Sequence, residues 1–217
     1  MNYIKENNNK AIIFDFDGTI ANTYQHFIEI GNRLAGEFNY HTVKSEEVDF
    51  LKYRSSREII KYLNIPILKI PAIIARIKKE LNNNITSIEL FRGIKEVLYQ
   101  LNKLNVFMGI VSSNSEENIQ QFLIQHGIDI FDVIHTTTSI LNKNIILKKL
   151  INNHNFHYGK VLYIGDEVRD IIAAKRIGIK VVSVTWGYNS AAALEKLTPD
   201  FLINDPQELF NICKNLE

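Results

Sequence analysis

Six short apolar runs recur along this chain: Ala11–Phe14, Val106–Val111, Val133–His135, Val161–Ile164, Lys180–Val184 and Phe201–Ile203. Helical patterns lie between most of them. Ile94, Val97, Leu98, Leu101 and Leu104 follow i, i+3, i+4 spacing, and so do Ile119, Phe122 and Leu123. Ser115 predicts the N-cap of that second helix, and Gly127 its stop. Ile145, Ile146, Lys149 and Leu150 form a third stretch, and Ile171, Ile172, Lys175 and Arg176 lead to Gly178, another stop signal. Asp205-Pro206 reads as an N-cap followed by proline at the first helical position. Such strand–helix alternation predicts an α/β fold, a Rossmann-like parallel sheet core with helices on both faces.

The alternation is interrupted once. From Ala21 to about Leu90 no strand pattern occurs, and helical patterns fill the gap at roughly Tyr24–Phe38, Ser56–Leu63 and Pro71–Leu81. Asn82-Asn83-Asn84 reads as a linker. The expected organisation is therefore a core of residues 1–20 and 88–217 with an inserted α-helical cap at 21–87. Arg92-Gly93 marks the return to the core and is the expected hinge.

Composition narrows the partners. The chain has 217 residues, 46% of them hydrophobic and 23% charged, enough apolar surface for a core with a smaller insertion. A net charge of +1 gives no electrostatic reason to expect nucleic acid or an anionic membrane. Met1–Lys10 is polar and Asn-rich, unlike a signal peptide. The longest apolar candidate, Ile65–Ile77, is broken by Pro66, Lys69, Pro71 and Arg76, so no run approaches the roughly 20 residues of a membrane span. The single Cys213 cannot form an internal disulfide, which points to a reducing, cytoplasmic setting. Nothing in the sequence sets the oligomeric state.

Ligands of parallel sheets bind at the carboxyl ends of the strands, and four strand ends here carry polar residues. The first run ends in Phe14-Asp15-Phe16-Asp17-Gly18-Thr19. A buried strand that ends in charge is costly unless the charge is used. Asp15 at the tip is a candidate nucleophile towards phosphorus. Asp17, two residues on, is placed to protonate a leaving oxygen and then deprotonate water. The second run ends in Ser112-Ser113-Asn114, where a hydroxyl beside a helix N-terminus suits a phosphate oxygen; the same residues also make an ordinary N-cap. Lys143, after the third run, is either a counter-charge for a transferring phosphoryl group or a surface lysine. Gly165-Asp166 with Asp170 puts two carboxylates four apart at the start of a helix. They are oxygen ligands suited to Mg²⁺, or else a cap and an ion-pair partner of Arg169 or Lys175.

Taken together, Asp15-Phe16-Asp17-Gly18-Thr19, Ser112, Lys143 and Gly165-Asp166 with Asp170 resemble the four motifs of the haloacid dehalogenase superfamily, specifically its phosphatases. The resemblance covers nearly the whole chain. It implies that Asp15 is the nucleophile and Asp17 the general acid/base, that Ser112 holds the phosphate and that Lys143 steadies it. It implies Mg²⁺ bound by Asp166, Asp15 and the backbone carbonyl of Asp17, with Asp170 a direct or second-layer partner. It also implies that 21–87 is a helical cap of the first type. Ser183-Val184-Thr185-Trp186-Gly187-Tyr188 is similar to phosphoglycolate phosphatase-like members. The retained Asp17 favours phosphorus over carbon as the target. The expected activity is Mg²⁺-dependent hydrolysis of a small-molecule phosphate monoester. A phosphomutase on the same fold and a non-catalytic phosphate-binding protein are the alternatives.

Other residues are expected to serve structure. His154 and His157 lack the further ligands a zinc site needs. Tyr53-Arg54-Ser55-Ser56-Arg57-Glu58 reads as a helix N-terminus with solvated arginines or as a segment reaching over the site. Trp186 and Tyr188 either border the pocket or pack.

Overall fold

The structure is a computed structural model that describes residues 10–137 and 142–215. In chain order its elements are β1 (Ala11–Phe14), α1 (Tyr24–Phe38), α2 (Val48–Lys52), α3 (Ser56–Tyr62), α4 (Ile70–Asn83), α5 (Ile94–Asn102), β2 (Phe107–Ser112) and α6 (Glu116–Gln125). They continue with β3 (Val133–Thr136), α7 (Lys143–Asn153), β4 (Val161–Gly165), α8 (Val168–Ile177), β5 (Lys180–Val184), α9 (Ala191–Glu195), β6 (Phe201–Ile203) and α10 (Glu208–Lys214). The six strands form one parallel sheet in the order β3-β2-β1-β4-β5-β6. The expected α/β sheet with helices on both faces is what forms.

The strand residues explain the layering. β1 is buried along its whole length, and its side chains alternate between two cores. Ile12 and Phe14 join Met108, Ile110, Leu162 and Ile164 under α5, α6 and α10. Ala11 and Ile13 join Val161, Tyr163 and Val181 under α7 and α8, through Leu147, Ile151, Ile171 and Ala174. The register then sets the strand tips level. Phe14 stands opposite Ile110 on one side and Ile164 on the other, so Asp15, Ser112 and Gly165-Asp166 emerge at one edge. The chain order reverses at β1, between β2 and β4, where ligands of open sheets collect.

Four helices, α1 to α4, lie between β1 and α5. The outgoing and returning chains pair where they cross: Asn22 N–H donates to Glu89 O at 2.9 Å and Phe91 N–H to Ile20 O at 3.3 Å. The crossing thus precedes the expected Arg92-Gly93, and Gly93 (φ 84°) instead opens α5 in a left-handed conformation that favours glycine. Two local expectations are corrected. Asn82 and Asn83 close α4 rather than forming a linker, because the stripe Ile73, Ile77, Leu81 keeps the helix buried to its end. Asp205 does not cap α10. Its carboxylate accepts from Gln207 N–H at 2.9 Å, and the helix proper starts at Glu208. α2 carries no sequence signal: five residues with one buried Leu51 are too short to show a period.

Candidate active site

Asp15 leaves β1 with its backbone tied to the neighbouring strand, Asp15 N–H donating to Ile164 O at 2.8 Å. Its side chain is 2% exposed. Oδ1 accepts from Phe16 N–H at 2.8 Å, and Oδ2 accepts from Lys143 Nζ at 2.7 Å. The turn continues through Gly18, at φ 77°. A Cβ there would lie 2.2 Å from Asp166 Oδ2, so glycine is what lets the two acidic segments meet.

Asp166 follows β4 and is fully buried. Oδ1 accepts from Thr19 Oγ1 at 2.9 Å and Oδ2 from Tyr188 N–H at 2.7 Å. A Cβ on Gly187 would stand 2.3 Å from the same carboxylate, so a second glycine completes the cradle. Asp170, in the first turn of α8, turns back: Oδ2 accepts from Glu167 N–H at 3.0 Å and Oδ1 from Lys143 Nζ at 2.6 Å. Asp170 therefore pairs with Lys143, not with Arg169 or Lys175. Arg169 pairs with Glu167, its Nε 2.8 Å from Oε1. Carboxylate oxygens of Asp15, Asp166 and Asp170 lie within 4.8 Å of one another. The Asp17 carboxylate stands outside that cluster.

Lys143 is the first residue of α7 and is 2% exposed. An ammonium is unfavourable at the positive end of a helix and in the interior, and here the two carboxylates offset both costs. Burial opposes its charge, yet Asp15 and Asp170 hold its pKa above the ordinary lysine value. Burial pushes the Asp15 carboxyl up to about 7; Lys143 pulls against the rise and Asp170 adds to it. Burial also pushes up Asp17 and, further, Asp166, where Glu167 and Asp170 add repulsion.

Those shifts describe acids short of counter-charge. Among the described residues, the five acids Asp15, Asp17, Asp166, Glu167 and Asp170 face three cations: Lys143 and Arg169 at this edge, and Lys78 of α4 towards Asp17. Three converging buried carboxylates form a hard oxygen donor set, and the residues present fit a divalent cation of the Mg²⁺ type.

On the other side, Asn114 Nδ2 donates to both oxygens of Asp17, each at 3.1 Å. Ser112 is fully buried at the tip of β2, and its Oγ accepts from Asn114 N–H at 3.1 Å. Ser115, not Ser112, caps α6, accepting from Asn118 N–H at 3.3 Å. That leaves the Ser112 hydroxyl proton without an acceptor among the described residues.

The segment after β5 ties the acids to the helical insertion. Asn189, 8% exposed, donates its N–H to Asp166 O and accepts from Val168 N–H at 2.9 Å. Its Nδ2 reaches the carbonyls of Lys52 and Arg54, each at 3.3 Å. Tyr188 OH lies 3.0 Å from Thr23 Oγ1, and its ring packs edge-on against Tyr24 and Phe27 of α1. Trp186 Nε1 donates to Thr19 O at 3.2 Å. Ser55 and Glu58 form a capping box at the start of α3, as the helix-terminus reading of 53–58 expects. His154 stacks on Phe156, and His157 accepts from Gly159 N–H. Asn114 and Thr19 lie inside motifs legible in the sequence, but their contacts are not, and Asn189 has no signal there. Their partners lie 97, 147 and up to 137 positions away, and only the fold makes them neighbours.

A parallel sheet with four acids and a buried lysine at its switch point defines a class, and comparison with known proteins agrees with it. The haloacid dehalogenase-like hydrolase family model matches residues 12–184. The chain belongs to that family and is an enzyme of the hydrolase class. It is 33% identical over 208 residues to the phosphoglycolate phosphatase of Synechococcus elongatus, covering 95% of this chain and 98% of that one. It is 25% identical to the pyrophosphatase PpaX of Oceanobacillus iheyensis, covering 94% and 96%. A haloacid dehalogenase-like hydrolase from Streptococcus pneumoniae shares the fold at a TM-score of 0.77 and 20% identity, over 94% of this chain and 97% of that one. Within the family the chain stands with the phosphoglycolate phosphatase-like members. No helix among the described residues is long and apolar enough to cross a membrane.

Proposed function

We propose that the protein is a Mg²⁺-dependent phosphatase that hydrolyses a small-molecule phosphate monoester through a phosphoryl group carried on Asp15. The observation that carries this is the meeting of Asp15, Asp166 and Asp170 in one buried cluster, with Lys143 paired to Asp15 and Asp170. An Asp15 oxygen forms the new bond to phosphorus while the bond to the ester oxygen breaks, and Asp17 gives that oxygen its proton. Water then attacks phosphorus. Its proton passes to Asp17, and the Asp15–phosphorus bond breaks to release phosphate. The Ser112 hydroxyl donates to a phosphoryl oxygen, and Lys143 offsets the charge that Asp15 and the phosphoryl group bring together. Asp15, Asp166 and the Asp17 carbonyl would hold Mg²⁺, with Asp170 in support; when bound, the cation supplies charge neutralisation of the phosphoryl oxygens.

In this reading residues 21–87 act as a cap that excludes water, and its contacts with Tyr188 and Asn189 hold it over the strand tips. The activity named for the 33%-identical relative makes phosphoglycolate the first substrate to test, in a cytoplasmic setting. The test is phosphate release from a panel of phosphate esters with Mg²⁺ present, with wild type beside Asp15→Asn. Release that survives in Asp15→Asn contradicts the nucleophile assignment. Isomerised sugar phosphate without free phosphate indicates a mutase, and silence with every metal a binding protein.

A further inference from the structure

We propose that Asn114 is a positioning residue for the Asp17 carboxyl, and that Asn118 locks Asn114 in place for it. The inference rests on the reading of Asp17 as general acid.

The orientation of Asn114 is determined by its partners. Its Oδ1 accepts from Ser115 N–H at 2.8 Å and from Asn118 Nδ2 at 2.9 Å, and both of those groups are donors. The amide nitrogen must therefore face Asp17, where it meets both carboxylate oxygens at 3.1 Å. A primary amide nitrogen only donates. Whichever Asp17 oxygen carries a proton must direct it away from Asn114. With the Thr23 hydroxyl, which also bonds this carboxylate, the contact fixes the plane of the carboxyl, and Asn114 closes one side to proton delivery.

Asn118 shows that this arrangement is held at a cost. It is 1% exposed, and its Oδ1 has no hydrogen-bond partner. A buried acceptor left without a donor is destabilising, since it has given up its water and gained nothing in return. The other rotation of the amide would turn that oxygen onto Asn114 Oδ1, acceptor against acceptor, and release Asn114. Keeping the nitrogen pointed at Asn114 leaves the oxygen orphaned. Asn118 stands in the first turn of α6 and Asn114 just before its Ser115 cap, so the start of the helix carries the support.

The experiment compares kcat/KM for an alkyl phosphate and for p-nitrophenyl phosphate in wild type, Asn114→Leu, Asn118→Ala and Asp17→Asn, with Mg²⁺ throughout. kcat/KM reports steps up to transfer onto Asp15. An alkoxide leaving group needs the Asp17 proton and nitrophenolate does not. Asn114→Leu keeps the volume and removes the donor. We expect its kcat/KM to fall roughly 10- to 100-fold on the alkyl ester and less than about threefold on the aryl ester, since general acid catalysis as a whole contributes 10²–10⁴-fold. Asn118→Ala should show the same selectivity at smaller size. Equal losses on both esters, or no loss on either, overturn the inference. If Asn114→Leu does not fold, Asn118→Ala decides by the same criterion. Asp17→Asn separates the positioning role from the acid role. Selective loss there without selective loss in the asparagine variants sinks the inference alone. Non-selective loss in Asp17→Asn sinks the reading of Asp17 and the inference with it.

Discussion

Lys143 Nζ lies 2.7 Å from Asp15 Oδ2, with each side chain 2% exposed, and the same nitrogen lies 2.6 Å from Asp170 Oδ1. One ammonium from the first turn of α7 thus joins the tip of β1 to the first turn of α8. Removing it leaves two buried carboxylates facing each other.

Lys143→Met is therefore expected to destabilise the fold by about 3–5 kcal/mol, the usual cost of stranding a buried charge. It should also lower turnover about 100-fold or more, as loss of a preorganised charge does. Urea unfolding and phosphate release measure the two effects. Lys143→Arg should not restore activity, because a planar guanidinium does not fit between two carboxylates spaced for an ammonium.

The two glycines against Asp166 give a steric prediction. A Cβ at Gly18 would sit 2.2 Å from Asp166 Oδ2 in a left-handed backbone, and one at Gly187 2.4 Å from Gly18 O. Either alanine variant should lose about 1–3 kcal/mol and most of its activity. Gly36 in α1 has nothing within 4 Å of a built Cβ. Gly36→Ala should be neutral or stabilising by up to about 1 kcal/mol, and should keep full activity. Thermal melts and initial rates distinguish these outcomes.

Chelation should act on stability as well as on rate. Carboxylates held above their ordinary pKa by burial lack counter-charge, and a divalent cation supplies it. Adding Mg²⁺ to chelator-treated protein should raise the melting temperature in a concentration-dependent way. Asp166→Asn should abolish that rise. A melting temperature indifferent to Mg²⁺ would remove the cation from this site.

Cys213 makes a separate prediction about pH. Burial pushes its thiol up to about 12 from an ordinary 9.0, and it is 2% exposed. Because the raised pKa belongs to the folded state, folding favours the neutral thiol; its contribution is full below pH 9 and is lost as pH rises from 9.0 to about 12. At pH 8 the native protein should leave a thiol reagent unreacted, and unfolding in urea should release one equivalent.

Much of this is legible in the sequence because the signals are local. All six strands sit within a residue of their apolar runs; the central β1, β2 and β4 show most clearly why, since a strand buried on both faces is a short unbroken hydrophobic stretch. Ser115 and Gly178 sit at the helix ends their chemistry predicts. The acids can be found because Asp15, Asp17 and Asp166 stand directly after strands. Lys143 stays open in the sequence between counter-charge and surface, because its depth depends on packing of α7 against the sheet. The contacts of Asn114, Asn118 and Asn189 are invisible for the same reason: each is an ordinary polar residue until the fold supplies its partner. The insertion reads as helical throughout, but α2 is too short to have a period, and the Asn-rich end of α4 is held in helix by buried isoleucines and leucine on the opposite face.

Everything turns on Asp15 carrying the phosphoryl group. Enzyme quenched during turnover with Mg²⁺ and substrate, then reduced with borohydride, shows whether it does, because an acyl phosphate is reduced to an alcohol and a free carboxylate is not. Peptide mapping should find homoserine in place of aspartate at Asp15, and only when substrate was present. Reduction at another acid, or turnover with no reducible acid at all, would rule out Asp15 as the carrier.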